Sequence, residues 1–394
     1  FMKNNSYSLS YIRVLYAMWL VRTVLSYLLT YRKSLLIADQ KEYIASITGL
    51  ILNVVSYLAI ILLVTWEQNY LLALGIGTVT EVVLNIWISW YVEQKYPFLR
   101  QRRKEKSTSS LTKRIVRDLK SLFISRISEK MLYCTDNLII SGFIGVGTVG
   151  RYANYCMITQ AISNILTILA NTIQPTVGDY FTEKNRQRNY EILRQLTFGF
   201  FCIASVVSVG LFSLITPFVR DIWLGPSYEL GWGITVFCIV VLLVRIMGLP
   251  LSLVMGVTGL FEKEKNVGAS SALLNLIVSL ALVKPYGMAG VLLGTLLSYL
   301  LQILYRYIIY FRDFLEMPGE ALRYAQDIGE YLAVIAGEVL LMQKIVPLIY
   351  GAGGMLLFCV CFLLCIAIPL LLDLVIFGRG WRLQSIVTMV KGMR

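Results

Sequence analysis

Residues 354–377, GMLLFCVCFLLCIAIPLLLDLVIF, carry one charged side chain, Asp373, in an otherwise apolar run. A helix of about 20 apolar residues spans the roughly 30 Å hydrocarbon core of a bilayer, so this run reads as a membrane-crossing helix. The same reading recurs along the chain, at residues 8–30, 43–64, 70–91, 119–143, 150–175, 196–218, 232–257, 267–284, 288–310 and 328–350. The first of these eleven candidates is interrupted by Arg13 and Arg22. Helices satisfy their own backbone groups inside lipid, which makes the expected fold all-α, a polytopic membrane bundle. Composition agrees: the 394 residues are 57% hydrophobic and 15% charged, where soluble domains hold about 25% charged residues.

The chain contains no histidine, which excludes imidazole general bases, histidine proton relays and histidine metal ligands. Its seven cysteines all lie in apolar blocks without partner ligands and read as packing residues. No catalytic residue, metal site or cofactor is expected. The 36 Lys and Arg exceed the 23 Asp and Glu, and 25 of those cations fall in alternate connections and the C-terminal tail. Cationic loops stay on the cytoplasmic side, so the bias predicts an external N-terminus and a cytoplasmic C-terminus. The chain begins at Phe1 without the charged and apolar regions of a signal peptide. The odd number of spans leads to the expectation that further spans precede it.

The longest polar stretch, Glu93 to Lys120, includes Gln101-Arg102-Arg103-Lys104-Glu105-Lys106. It reads as a basic linker between two lobes that also suits anionic lipid headgroups; nothing supports nucleic-acid binding. An internal repeat is visible at an offset of 222, which aligns Lys41-Glu42 with Lys263-Glu264 and Asn53 with Asn275, while an offset of 223 aligns Arg22 with Arg245. Both units have the same orientation, the pattern of a parallel transporter repeat.

Ionisable residues inside spans are costly and are functional candidates by default. Arg126, Glu129, Lys130, Asp136 and Asn137 fall in one stripe of the helix 119–143. The first three also suit snorkelling to headgroups. Arg22 and Arg245 lie near the middle of their spans, and Pro250 bends the helix that carries Arg245. Glu81 and Glu338 are further buried acids, Glu338 suiting an internal ion pair or a peripheral polar contact; Asp373 and Arg306 read as interfacial.

At Thr135-Asp136-Asn137-Leu138-Ile139-Ile140-Ser141, Gly145 and Val149-Gly150-Arg151-Tyr152, the chain resembles the Wzx-type polysaccharide flippases of the MOP exporter superfamily. The turn from Tyr31 to Tyr43, Pro175 ending one helix and Trp223-Leu224-Gly225 following another add to the likeness. The resemblance implies two six-helix lobes and an additional helix pair. On this chain residues 1–92 would be the second half of the N-terminal lobe, with its first three helices absent. Residues 93–118 would be the linker, 119–311 the C-terminal lobe, 328–377 the additional pair and 378–394 a cytoplasmic tail.

The implied function is translocation of an undecaprenyl-pyrophosphate-linked oligosaccharide across the bacterial cytoplasmic membrane, for capsule, O-antigen or exopolysaccharide synthesis. Partners implied are the lipid-linked substrate, membrane lipids, and a polysaccharide polymerase with its chain-length machinery. Arginine suits pyrophosphate through its planar fork, so Arg22, Arg126, Lys130 and Arg245 are expected to line a cationic cavity. Glu81, Glu129, Asp136 and Asn137 are candidates for ion coupling or for polar cavity lining. A lipid II flippase and a MATE-like drug or cation exporter are the rivals within the superfamily. A membrane polymerase or glycosyltransferase is the rival enzyme, but the longest external loop, Val219 to Gly231, is short and no soluble Asp-x-Asp domain is present.

Overall fold

The computed structural model describes residues 8–97 except 29, 40, 68 and 69, residues 135–181, and residues 185–378 except 352. The chain divides into two units, Met2–Thr112 and Lys113–Arg394. All regular structure among the described residues is helical. Nine helices there are long and apolar enough to cross a membrane.

The first unit holds α1 (Leu9–Leu28), α2 (Thr30–Ala38), α3 (Glu42–Glu67) and α4 (Tyr70–Lys95). Helix α4 packs against each of the other three. Its small core joins Leu36 of α2, Ala45 of α3, and Ile88 and Val92 of α4. Arg32 ties α2 to α4 through Glu93 at 2.6 Å and the Ser89 hydroxyl at 2.5 Å. The predicted turn after α2 is closed by Asp39, whose Oδ2 accepts from Lys41 Nζ at 2.5 Å and Tyr96 Oη at 2.6 Å. Those two donors stabilise the carboxylate and hold the Asp39 carboxyl below its ordinary range.

The second unit contains α5 (residues 135–143), followed by α6 (Val146–Tyr180), α7 (Arg186–Pro217), α8 (Trp232–Val257), α9 (Phe261–Tyr286), α10 (Met288–Ile308), α11 (Pro318–Tyr350) and α12 (Met355–Phe377). Local chemistry sets the ends of these helices. Gly145 makes the turn from α5 to α6 at φ 129°, a backbone region open to glycine and strained for other residues. The Asn185 side chain accepts from the Arg188 amide and caps α7. A π-turn, Phe218–Trp223, unwinds the end of α7 before Gly225 at φ 94° reverses the chain. Pro318 sits at the first position of α11, where its missing N–H costs nothing.

Packing runs outward from α7, α8 and α10. Helix α8 meets α6, α7 and α10, while α9 packs on α10 and both α11 and α12 pack on α7. An aromatic cluster of Phe198 and Phe201 on α7, Tyr331 on α11 and Phe377 on α12 joins the last pair to the bundle, with Phe201 and Tyr331 stacked at 4.4 Å. Much of the remaining apolar surface faces outward: Leu348 is 85% exposed, Leu356 79% and Val375 78%. In a membrane that surface meets acyl chains, so it carries none of the cost it would have in water.

Nine of the eleven expected spans correspond to helices of crossing length. The first, 8–30, is the helix α1, and 119–143 is described only from residue 135. Three boundaries move. Helix α6 continues through Pro175 to Tyr180, and α7 and α11 begin at Arg186 and Pro318, ten residues before the apolar runs do. The 32 residues of α7 reach about 48 Å at 1.5 Å per residue, so its polar first turns extend beyond the hydrocarbon. Apolar windows mark the lipid-crossing part of a helix, whereas capping decides where it starts. The tail beyond residue 378, and residues 98–134 with most of the expected linker, lie outside the described residues.

Candidate functional site

Helix α5 places Asp136 against α10, leaving the carboxylate residue 4% exposed. Thr295 Oγ1 donates to Asp136 Oδ2 at 2.7 Å and accepts from Asn275 Nδ2 of α9 at 2.9 Å. One turn earlier on α10, the Val291 carbonyl accepts from Ser279 Oγ at 3.2 Å. Three helices therefore converge on a cluster of oxygens inside the bundle. Asp136 Oδ1 and Asn275 Oδ1 are buried without a hydrogen-bond partner. A carboxylate, an amide oxygen, a hydroxyl and a nearby carbonyl form a hard-oxygen environment that can take up one small cation.

Close approach of α9 and α10 makes this possible. A Cβ on Gly290 would run into the Leu282 backbone, and one on Gly294 into Ser279 Oγ. With Ser298 a further turn along, α10 presents small residues every four positions, a pattern that lets membrane helices pack at short range.

Asn137, expected on the same stripe as Asp136, is exposed instead. It follows Asp136 by 100° of helix rotation, which turns it away from Thr295. Arg126, Glu129 and Lys130 lie outside the described residues. Asp136 was visible in the sequence because an acid within an apolar run is rare, and the repeat singled out Asn275. Thr295 and Ser279 were missed, since a hydroxyl on an apolar helix ordinarily bonds its own backbone; Ser298 does so, donating to the Gly294 carbonyl.

The two mid-span arginines occupy matching places within their own units. Arg22 of α1 lies half-buried against Gly77 of α4, where an added Cβ would sit 2.7 Å from its Nη1. Arg245 of α8 lies 5.4 Å from the Tyr299 ring centre of α10, a cation–π distance. Positions 77 and 299 are separated by the same 222 residues that relate the two halves of the repeat. Packing follows suit: α4 contacts α1 and α3, and α10 contacts α8 and α9. Glu81, one turn after Gly77, is half-buried on the face of α4 that meets α1. Asn53 and Asn275 do not behave alike, the first being exposed and the second fully buried.

Two polar contacts of the second unit fasten helices together. Arg194 makes a two-pronged ion pair with Asp327 at 2.6 and 2.9 Å, fastening α7 to α11, and Thr197 shares a 3.0 Å hydrogen bond with Tyr324. Glu338 accepts from Ser205 at 2.6 Å rather than forming an ion pair. Asp373 is 3% exposed, which corrects its reading as interfacial: α12 turns this residue toward α7. Where the α5–α6 turn meets the connection between α7 and α8, an open depression of about 500 Å³ is lined by Thr148, Arg151 and Tyr228.

The structure resembles that of the lipid II flippase MurJ in its inward closed conformation. The two share 15% sequence identity with a TM-score of 0.67, over 92% of this chain and 74% of MurJ. Residues 1–181 match the family of polysaccharide biosynthesis proteins. The likeness in fold, and the match over residues 1–181, agree with the resemblance read from the sequence. No curated protein sequence matches the chain. The protein is thus an all-α, multi-pass membrane protein with a MurJ-like fold.

Proposed function

We propose that this protein is a flippase that carries an undecaprenyl-pyrophosphate-linked oligosaccharide across the bacterial cytoplasmic membrane, for assembly of a surface polysaccharide. The observation that supports this most directly is the pair of mid-span arginines, Arg22 and Arg245, held at equivalent positions of two repeated helix trios. An arginine within a span is costly unless it meets an anion or a polar cavity, and pyrophosphate matches its forked donors. Arg126 and Lys130 would add to the same cationic lining. The match of residues 1–181 to polysaccharide biosynthesis proteins favours an oligosaccharide cargo.

Transport by alternating access would rock one repeat unit relative to the other. Asp136, with Asn275 and Thr295, would bind the coupling cation, because a charge entering there meets two buried oxygens that lack partners. Glu81 and Glu129 are further candidates for that role. Export would then supply a polysaccharide polymerase and its chain-length machinery at the outer leaflet, with the protein's own C-terminus on the cytoplasmic side. This is transport, not bond-making catalysis.

The test is Arg245→Glu in the full-length protein, assayed for surface polysaccharide in cells lacking the native copy. Export falls at least tenfold at unchanged protein level; undiminished export removes Arg245 from the substrate path. The MurJ-like fold favours a second reading, a lipid II flippase. Rescue of cells depleted of their lipid II flippase, without rescue of polysaccharide export, would select that reading.

A further inference from the structure

Besides Asp136 and the ion-paired Asp327, two carboxyl side chains are buried among the described residues. Glu338 on α11 and Asp373 on α12 are each 3% exposed. Ser205 Oγ of α7 donates to Glu338 Oε2 at 2.6 Å, and Asp373 lies within electrostatic reach of Glu338, its helix α12 packing on both α7 and α11. Glu338 Oε1 and both oxygens of Asp373 are buried without a hydrogen-bond partner. Among the described residues, Cys202, three residues before Ser205 on α7, is a further titratable group beside the pair. The Arg194–Asp327 ion pair lies eleven residues back along α11, about 16 Å from Glu338.

Two ionised carboxylates at this spot would repel one another in a medium that screens them poorly, with one hydroxyl for three helices. A proton relieves this directly, turning one acceptor into a donor for the oxygens that lack one. A metal cation is less suited: among the described residues the nearby groups are two carboxyls, a serine whose hydrogen is already committed to Glu338, and a thiol.

We infer that Glu338 and Asp373 form a proton-binding site, a carboxyl pair that shares one proton at the junction of α7, α11 and α12. Its occupancy sets the charge between α12 and the bundle. With the proton bound, the pair carries one negative charge and α12 stays docked through Phe377 and Tyr331. With the proton gone, two like charges face each other and α12 loosens. The site is separate from the Asp136 cluster and stands whether or not that cluster binds the coupling cation.

Difference infrared spectroscopy of the full-length protein in phospholipid vesicles, over a pH titration, tests this. The titration is run in the Asp136→Asn background so that Asp136 contributes no signal. A carboxylic-acid C=O band titrates in the parent, is lost in the Glu338→Gln, Asp373→Asn double variant, and shifts in frequency in Ser205→Ala. If the double variant is not recovered folded, each single variant must move the midpoint of the band. Thermal unfolding adds a readout that packing alone would not change: stability of the parent falls as the proton leaves, and Asp373→Asn flattens that pH profile. A band unaltered in the variants overturns the inference. So does a band abolished at constant pH by replacing potassium with sodium, which would assign the site to a metal cation.

Discussion

Asp136 illustrates what one residue in a membrane helix can and cannot reveal. Its charge in an apolar run marks it for function, but only the approach of α10 provides Thr295 as its donor at 2.7 Å. Thr295→Val removes the donor to Asp136 Oδ2 and the acceptor of the Asn275 amide N–H. A hydrogen bond to a charged group is worth about 1.5–3 kcal/mol, so detergent-solubilised Thr295→Val should unfold at lower temperature by a comparable loss of stability. Asp136→Asn keeps the shape and the Thr295 contact while removing the charge. It should fold normally and lose transport, measured as surface polysaccharide at equal protein level. Retained transport would exclude Asp136 from coupling. Asp373 teaches the reverse lesson: four residues from the end of an apolar run it reads as interfacial, yet α12 buries it because that face meets α7.

Helix pairs decide the next scale. Helices α9 and α10 approach through Gly290 and Gly294, and no hydropathy window registers that. Gly294→Leu would drive a side chain into Ser279 and the Asn275 carbonyl. Overpacking of this kind costs about 1–3 kcal/mol, and the separation of α9 from α10 should also break the Asn275–Thr295 hydrogen bond. Loss of both thermal stability and transport is the expected result, whereas Gly199→Ala, where an added Cβ meets nothing within 4 Å, should change little. In the first unit, Asp39 links the turn after α2 to Tyr96 beyond α4. Its folded-state carboxyl lies below its unfolded value, so its contribution is present above the unfolded value and disappears as pH falls through the folded one. Tyr96→Phe removes one of the two donors. Carboxyl NMR of a labelled sample should show Asp39 titrating closer to the ordinary aspartate range, and an unchanged midpoint would leave Lys41 as the only effective donor.

Over the whole molecule, the repeat is the feature that sequence and structure share most closely. Two offsets differing by one residue located Arg22 and Arg245, and the packing of each unit then placed Gly77 and Tyr299 beside them at the same spacing. If Arg22 serves the substrate path of its own unit, Arg22→Glu should impair export as Arg245→Glu does, measured as surface polysaccharide at equal protein level, and undiminished export would remove Arg22 from that path. Composition and hydropathy by themselves determined that this is an all-helical membrane protein and where nearly every span runs, because lipid requires long apolar helices and leaves few alternatives. Periodicity likewise showed which ionisable residues fall inside spans. Only the tertiary structure decided which of them meet. Asp136 with Thr295 and Asn275, and Glu338 with Ser205, are joined across helices far apart in the chain. A lipid-crossing helix is apolar on nearly every face, so its sequence carries almost no sign of which face another helix will cover.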